Sequence, residues 1–517
     1  MDPQLPTATA HDLRVLITAA EAYPEMERAF LQARREIWAG FRVFDLSTRL
    51  RSPEACAIGD TWFDLIVDTL QRGVKLHIAL SDFDPIMAPD LHCSAWKAKR
   101  AFIAAAEVVG PDAELEVVAA THSARVGLLP RIVLWPGAFK RLRKQARRLN
   151  AATPEDRAQI LECSPGLRLW LLDDGSGGLR ARRWPAPPLV PGTHHQKIAV
   201  FDRELLCVGG LDLDERRYDD KGHHRRRDKT WHDVQVMCRG PVVADAQRHL
   251  EQFLKVVAGE VPPEPSGALL TTLSRRRRFS LPFLSPQPVD NTIAAAHRRL
   301  IAGARRLIYL ETQYFRDPAV SRELADAARR NPDLGLILIL PAAPEDVAFN
   351  GVTSSDVRFG EYLQAKAIAR VQDAFGERAV ICSPVRPKAV PDTGRDVLCG
   401  SPIIYVHAKV SIFDADHAIV SSANLNSRSL CWDTEAGVLL DRPEDVEMLK
   451  RRLIDHWMGG DAPSAFHDMH SARAAWQQRA AENARKSPED RQGFIVPHAT
   501  EPAVRLGRFL PVPPALV

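Results

Sequence analysis

The chain has 517 residues, enough for one large or two medium cores, and two is the better expectation. At 45% hydrophobic and 26% charged, with a net charge of +4, its composition is that of an ordinary globular protein, and so small a charge does not by itself imply nucleic acid. Eight scattered cysteines without a Cys-x-x-Cys pair argue against a disulfide framework and a zinc site, and no apolar run reaches the roughly 18 residues of a spanning helix.

In chain order, the start Met1-Asp2-Pro3-Gln4-Leu5-Pro6 has neither the basic nor the apolar region of a secretory signal. Residues 13–18 read as a strand, 26–38 as a helix, 41–46 as a strand, 61–71 as a helix and 74–80 as a strand. That alternation predicts βαβ units and a mostly parallel or mixed sheet covered by helices. The Ala-, Leu-, Lys- and Arg-rich stretch of about 85–165 reads as a helical insertion. After the first half (1–258), the Pro-punctuated stretch 259–288 reads as a linker. The second half (289–460) repeats the alternation: helix 292–304, strand 307–310, helix 320–329, strand 334–340, helix 360–375 and strand 379–382. A tail, 461–517, opens on a helical segment through Lys486 and closes on a proline-rich end to which no chemistry is assigned.

One phrase occurs twice. His195-Gln196-Lys197-Ile198-Ala199-Val200-Phe201-Asp202 and His407-Ala408-Lys409-Val410-Ser411-Ile412-Phe413-Asp414 both read His-x-Lys-x4-Asp. On a strand, His and Lys two apart share a face. An imidazole beside an ammonium suits a phosphate, one attacking or protonating and the other neutralising oxygen charge. Six residues past each Asp come Gly209-Gly210-Leu211-Asp212 and Ser421-Ser422-Ala423-Asn424. The small residues Gly209, Gly210, Ser421 and Ser422 are expected to let the backbone approach a bound anion. Basic runs stand at 140–144, 225–227 and 275–278, and their default reading is a solvated face.

These residues resemble the phospholipase D superfamily, whose members carry two His-x-Lys-x4-Asp motifs. Thr193-His194-His195-Gln196-Lys197, Tyr309-Leu310-Glu311-Thr312-Gln313-Tyr314-Phe315, Trp231-His232-Asp233-Val234 and Ser422-Ala423-Asn424-Leu425-Asn426-Ser427 are similar to segments of its eukaryotic-type phospholipases D. Asp212 stands where Asn is usual and Ser421 where Gly is usual, and 21 residues separate Asp212 from Asp233 against 11 between Asn424 and Glu435. The resemblance implies two similar α/β/α-type halves packed about a pseudo-two-fold axis, with the active site between them. It further implies displacement at phosphorus through a phosphohistidine, with His195 as nucleophile and His407 as general acid/base, the reverse assignment staying open. Lys197, Lys409 and Asn424 would bind the phosphate oxygens, and Asp233 and Glu435 would orient the histidines. Asp202 and Asp414 complete the catalytic motif, although their place at strand ends suits a structural role. Glu311 and Gln313 are candidate pocket residues. No cofactor is implied and no metal is expected for the chemistry, because two lysines already supply positive charge.

The expected function is hydrolysis of glycerophospholipids to phosphatidic acid, or phosphatidyl transfer, by a monomer at a membrane surface. The expected location is cytoplasmic, peripheral to a membrane, or outside the cell by a route needing no signal peptide. The alternatives are a nuclease of the same superfamily, a cardiolipin-type synthase and a catalytically inactive lipid-binding protein.

Overall fold

A computed structural model describes residues 10–264, 267–391 and 393–517. The amino-terminal stretch read for a signal lies outside the described residues.

Two mixed sheets dominate. In the first, the strands lie side by side in the order His11–Ile17, Val234–Arg239, Leu205–Gly209, Ile198–Phe201, Glu36–Phe41, Lys75–Asp82 and Leu115–Thr121. The second repeats that order with Leu269–Arg275, Glu435–Leu440, His417–Ser421, Lys409–Phe413, Leu307–Thr312, Gly335–Ile339 and Ala379–Pro384. In both, the first four pairings are antiparallel and the last two parallel. Gln287–Asn291 and Ile495–Pro497 extend the second sheet at its two edges.

Each sheet buries both faces, which is why its central strands read as unbroken apolar runs. Ala19–Gln32, Trp62–Gln71 and Pro89–Val109 cover the outer face of the first sheet, around Phe30, Trp62 and Phe102. Thr292–Gly303, Pro318–Arg330 and Ser355–Phe375 cover that of the second, around Leu300, Leu324 and Ile368. The inner faces share one core. Ile198, Val200 and Val236 meet Val410, Ile412 and Val438 there, with Phe253 from helix Pro241–Ala258 and Trp457 from helix Pro443–Met458.

Several elements differ from the sequence expectation. The first helix ends at Gln32, and Trp38 lies on the strand Glu36–Phe41 that follows, so the strand expected at 41–46 sits earlier. Within the expected helical insertion, Leu115–Thr121 is a strand and Pro89–Val109 its covering helix, the counterparts of Ala379–Pro384 and Ser355–Phe375. The added segment begins beyond them. It holds helices Leu128–Ala151 and Pro154–Glu162 and the hairpin Leu171–Asp173/Leu179–Ala181 over a small core of Leu142, Leu149, Leu167 and Leu189. The expected linker contains Leu269–Arg275, which pairs with Glu435–Leu440 as His11–Ile17 pairs with Val234–Arg239. The tail returns Ile495–Pro497 to the edge of the second sheet.

Candidate active site

Neither motif histidine lies in its strand. The strands begin at Ile198 and Lys409, and the histidines stand before them, held by the other half. The His195 amide donates to the Thr434 carbonyl at 2.8 Å, and the His407 amide donates to the His232 carbonyl at 2.7 Å. The residue following each acceptor carries the orienting carboxylate. His195 Nδ1 lies 3.0 Å from Glu435 Oε1 and 3.1 Å from Oε2, and His407 Nδ1 lies 2.6 Å from Asp233 Oδ2. The pairing is therefore crossed, each half supplying the carboxylate for the histidine of the other. An ionised carboxylate only accepts, so in the ionised form of each pair, which the Ser422 hydroxyl supports at Glu435, the ring carries its proton on Nδ1 and leaves Nε2 as the reactive nitrogen.

The two motif lysines are deeply buried, and each ammonium donates to the carbonyl of its own histidine, Lys197 at 2.5 Å and Lys409 in a close contact with His407. Burial lowers the pKa of Lys197 and brings that of Lys409 down to about 7. Burial pushes both imidazoles well below their usual value, and the lysines add to the effect, so the resting rings are neutral. Burial raises Asp233 to about 6 and Glu435 to about 8 against the opposing pull of the lysines. His407 feels the charge of Lys197 as well as that of Lys409, which makes the two motifs one electrostatic unit.

Asn424 is 3% exposed; its Nδ2 donates to Gln313 Oε1 at 3.3 Å and its Oδ1 has no partner. Gln313 donates in turn to the Tyr405 hydroxyl at 3.0 Å. Asp212, the first-half counterpart, accepts from the Val43 amide at 3.0 Å and lies 3.8 Å from Lys197 Nζ. It neutralises the lysine and offers a phosphate no donor.

A family model described as "Cardiolipin synthase, PLD-like domain" matches residues 297–457. The chain is 25% identical over 354 residues to "Phospholipase D alpha 1" of Oryza sativa subsp. japonica, covering 46% of this chain and 44% of that protein. It is 23% identical over 381 residues to "Phospholipase D1" of Saccharomyces cerevisiae, covering 55% of this chain and 22% of that protein. These matches support membership of the phospholipase D superfamily. The matched region is less than half the length of these curated relatives. The crystal structure of a phosphatidylserine synthase from Haemophilus influenzae Rd KW20 shares the duplicated phospholipase D fold, with a TM-score of 0.51, 11% identity and 87% of each chain covered.

Other residues drawn from the phospholipase D resemblance sit elsewhere. Asp202 and Asp414 lie at the far ends of the motif strands, seven residues or roughly 23 Å of extended chain from their histidines. Asp202 accepts from the amides of Arg34, Arg35 and Glu36 at 2.9, 2.8 and 3.0 Å; Asp414 accepts from those of Arg305, Arg306 and Leu307 at 2.8, 2.8 and 2.9 Å. Both hold a backbone turn and neither reaches a phosphate. Gly209, Gly210, Ser421 and Ser422 face the carboxylate strands, where an anion-cradling backbone had been expected. A Cβ on Gly210 would stand 2.1 Å from Asp233 Oδ1, while Ser422 Oγ donates to Glu435 Oε2 at 2.5 Å, and Gly209 and Ser421 pair with Gln235 and Gly437. Glu311 is sealed in the core rather than lining the pocket. It accepts from the Tyr309 hydroxyl at 2.5 Å and the Trp457 indole at 2.7 Å, and it lies 2.9 Å from His232 Nε2.

Two features escaped the sequence reading. Arg217, in the longer loop after Asp212, is 7% exposed and stacks 3.9 Å above the Trp231 ring, which packs against His407 at 5.3 Å. Its Nε and NH1 are buried without partners, and its charge reaches His407. No sequence signal separates it from the surface arginines around it. His223, His232 and His456 also come together, although no metal-like spacing links them in sequence.

Proposed function

We propose that this chain is a phospholipase D-type phosphodiesterase that transfers the phosphatidyl group of a glycerophospholipid to water or to an alcohol. What supports this most directly is the crossed pairing of His195 with Glu435 and His407 with Asp233. His195, the more exposed ring with 13% of its side chain accessible against 3% for His407, attacks phosphorus through Nε2. The P–O bond to the head group breaks as the N–P bond forms. His407, protonated as the anionic phosphate enters, gives the leaving alkoxide its proton. It then takes a proton from the water or alcohol that attacks the phosphohistidine and frees His195. Lys197, Lys409, the Asn424 amide and the unpartnered donors of Arg217 stabilise the charge on the non-bridging oxygens.

A lipid substrate is favoured over a nucleic acid by an exposed apolar patch. The Gly127 amide donates to the Phe283 carbonyl and the Leu129 amide to the Leu281 carbonyl, bringing two segments together. They expose Leu129 (53%), Val133 (79%), Phe279 (65%) and Leu281 (42%) beside the arginine run at 275–278. Apolar tips flanked by basic residues suit an anionic membrane surface, where each Lys or Arg contributes about 1 kcal/mol. Transfer to an alcohol, as in a synthase, is the second reading, favoured by the family model over residues 297–457.

Purified protein would be given phosphatidylcholine vesicles, with and without phosphatidylglycerol as acceptor, and single-stranded DNA. Choline release is expected, with transfer product in the acceptor arm. DNA cleavage without choline release would replace this reading with the nuclease.

A further inference from the structure

The loop after Asp212, 21 residues long to Asp233 against 11 in the second half, carries more than Arg217. His223 lies in it, and His232 lies on the short strand Trp231–His232 at its end. Both side chains are 0% exposed. His456 reaches them from helix Pro443–Met458 of the second half. His223 Nε2 lies 3.2 Å from His456 Nε2, and His232 Nδ1 lies 3.2 Å from the same atom. One ligand nitrogen from each ring lies within 4.8 Å of the others.

The outward nitrogens are occupied by carboxylates. His223 Nδ1 is 2.8 Å from Asp219 Oδ2, and His232 Nε2 is 2.9 Å from Glu311 Oε2. Asp219 is fixed by the Trp231 amide at 2.6 Å, and Glu311 by Tyr309 and Trp457. Because an ionised carboxylate only accepts, both rings turn their proton outward and their lone pair inward. His456 Nε2 has at most one proton to offer two lone pairs. A cation serves all three nitrogens at once.

We propose that His223 Nε2, His232 Nδ1 and His456 Nε2 bind a divalent transition-metal ion, zinc before others, which pins the first-half loop to the second-half helix. Zinc–imidazole bonds of about 2.0–2.1 Å at tetrahedral angles separate ligand nitrogens by about 3.3 Å, close to both contacts above. A carboxylate on the far nitrogen of a liganding histidine fixes its tautomer and raises its basicity. An all-nitrogen donor set disfavours calcium and magnesium, which take oxygen. Asp219 and Glu311 offset the two charges of the ion. Phe494 and Trp457 pack against the rings and limit solvent. Three protein ligands leave the fourth position to water. The ion is a positioning element coupled to the motif site through the chain: His232 immediately precedes Asp233, and its carbonyl accepts the His407 amide.

The full chain, stripped with a chelator, would be titrated with zinc against a chromophoric competitor, and cobalt would be loaded separately for its visible spectrum. One zinc per chain and the strong absorption of tetrahedral cobalt are expected. His456→Gln should abolish both. Asp219→Asn keeps all three ligands and should weaken zinc binding by about 10–100-fold, which serves as the reading if His456→Gln does not fold. A folded wild-type chain without stoichiometric zinc, or zinc held equally well by His223→Gln, His456→Gln and Asp219→Asn chains, would overturn the proposal in favour of a hydrogen-bonded histidine cluster.

Discussion

At the scale of single residues, the site depends on buried charges whose balance sets a pH window. Burial raises Asp233 to about 6, so below that pH its carboxyl is neutral and no longer favours the imidazolium form of His407. Burial lowers Lys409 to about 7, so above that pH the lysine is uncharged and the phosphate loses a clamp. A plot of kcat/KM against pH should therefore be bell-shaped, its acid limb carrying the ionisation of Asp233 and Glu435 and its alkaline limb the loss of the Lys409 charge. In kcat the alkaline limb should move upward, because bound phosphate favours the ammonium; a flat profile across this range would exclude the assignment. The carboxylates allow a sharper check. Asp233→Asn and Glu435→Gln each replace an acceptor that fixes an imidazole tautomer, and each should lower kcat by up to about 10⁴-fold. Stopped assays on both single variants and the double variant should show strong non-additivity if all four groups act on one phosphorus.

At the scale of elements, the motif strands separate chemistry at one end from architecture at the other. Asp202 and Asp414 adopt positive φ values of 52° and 54° and gather three amides each. Asp202→Ala should cost about 1–3 kcal/mol of stability, read by denaturant unfolding, and leave kcat/KM of the folded fraction close to wild type. The apolar patch belongs to this scale as well. Val133→Asp with Phe279→Asp should weaken vesicle binding at least tenfold, given roughly 1.5–3 kcal/mol for each buried side chain. Turnover of a short-chain soluble phospholipid should be unchanged.

The elements also show what the sequence could and could not reveal. The central strands were visible because they are apolar on both faces, and the His-x-Lys pairs because their chemistry repeats. Leu115–Thr121 was hidden because it is a half-buried edge strand without clean alternation, lying among long helices. Leu269–Arg275 was hidden by the prolines and arginines on either side. Asp233 and Glu435 could be singled out, but not their exchange between halves, since 174 residues separate Asp233 from His407 and 240 separate His195 from Glu435. Glu311 was misread as a pocket residue because its partners Trp457 and His232 come from distant segments.

At the scale of the whole molecule, the duplication makes the crossed pairing of histidines and carboxylates. Each half presents a histidine and a carboxylate that do not meet within that half; only when the inner faces close over their shared core does each imidazole gain its partner. The measurement that tests this most directly is capture of the covalent intermediate. A phosphatidyl ester with a p-nitrophenolate leaving group needs no proton on departure, so a His407→Ala chain should release one equivalent of nitrophenol and then stall. Mass spectrometry of the quenched protein should find the phosphatidyl group on His195, with none on a His195→Ala chain. An adduct on another residue, or undiminished steady turnover in both variants, would contradict a single phosphorus shared by the two histidines.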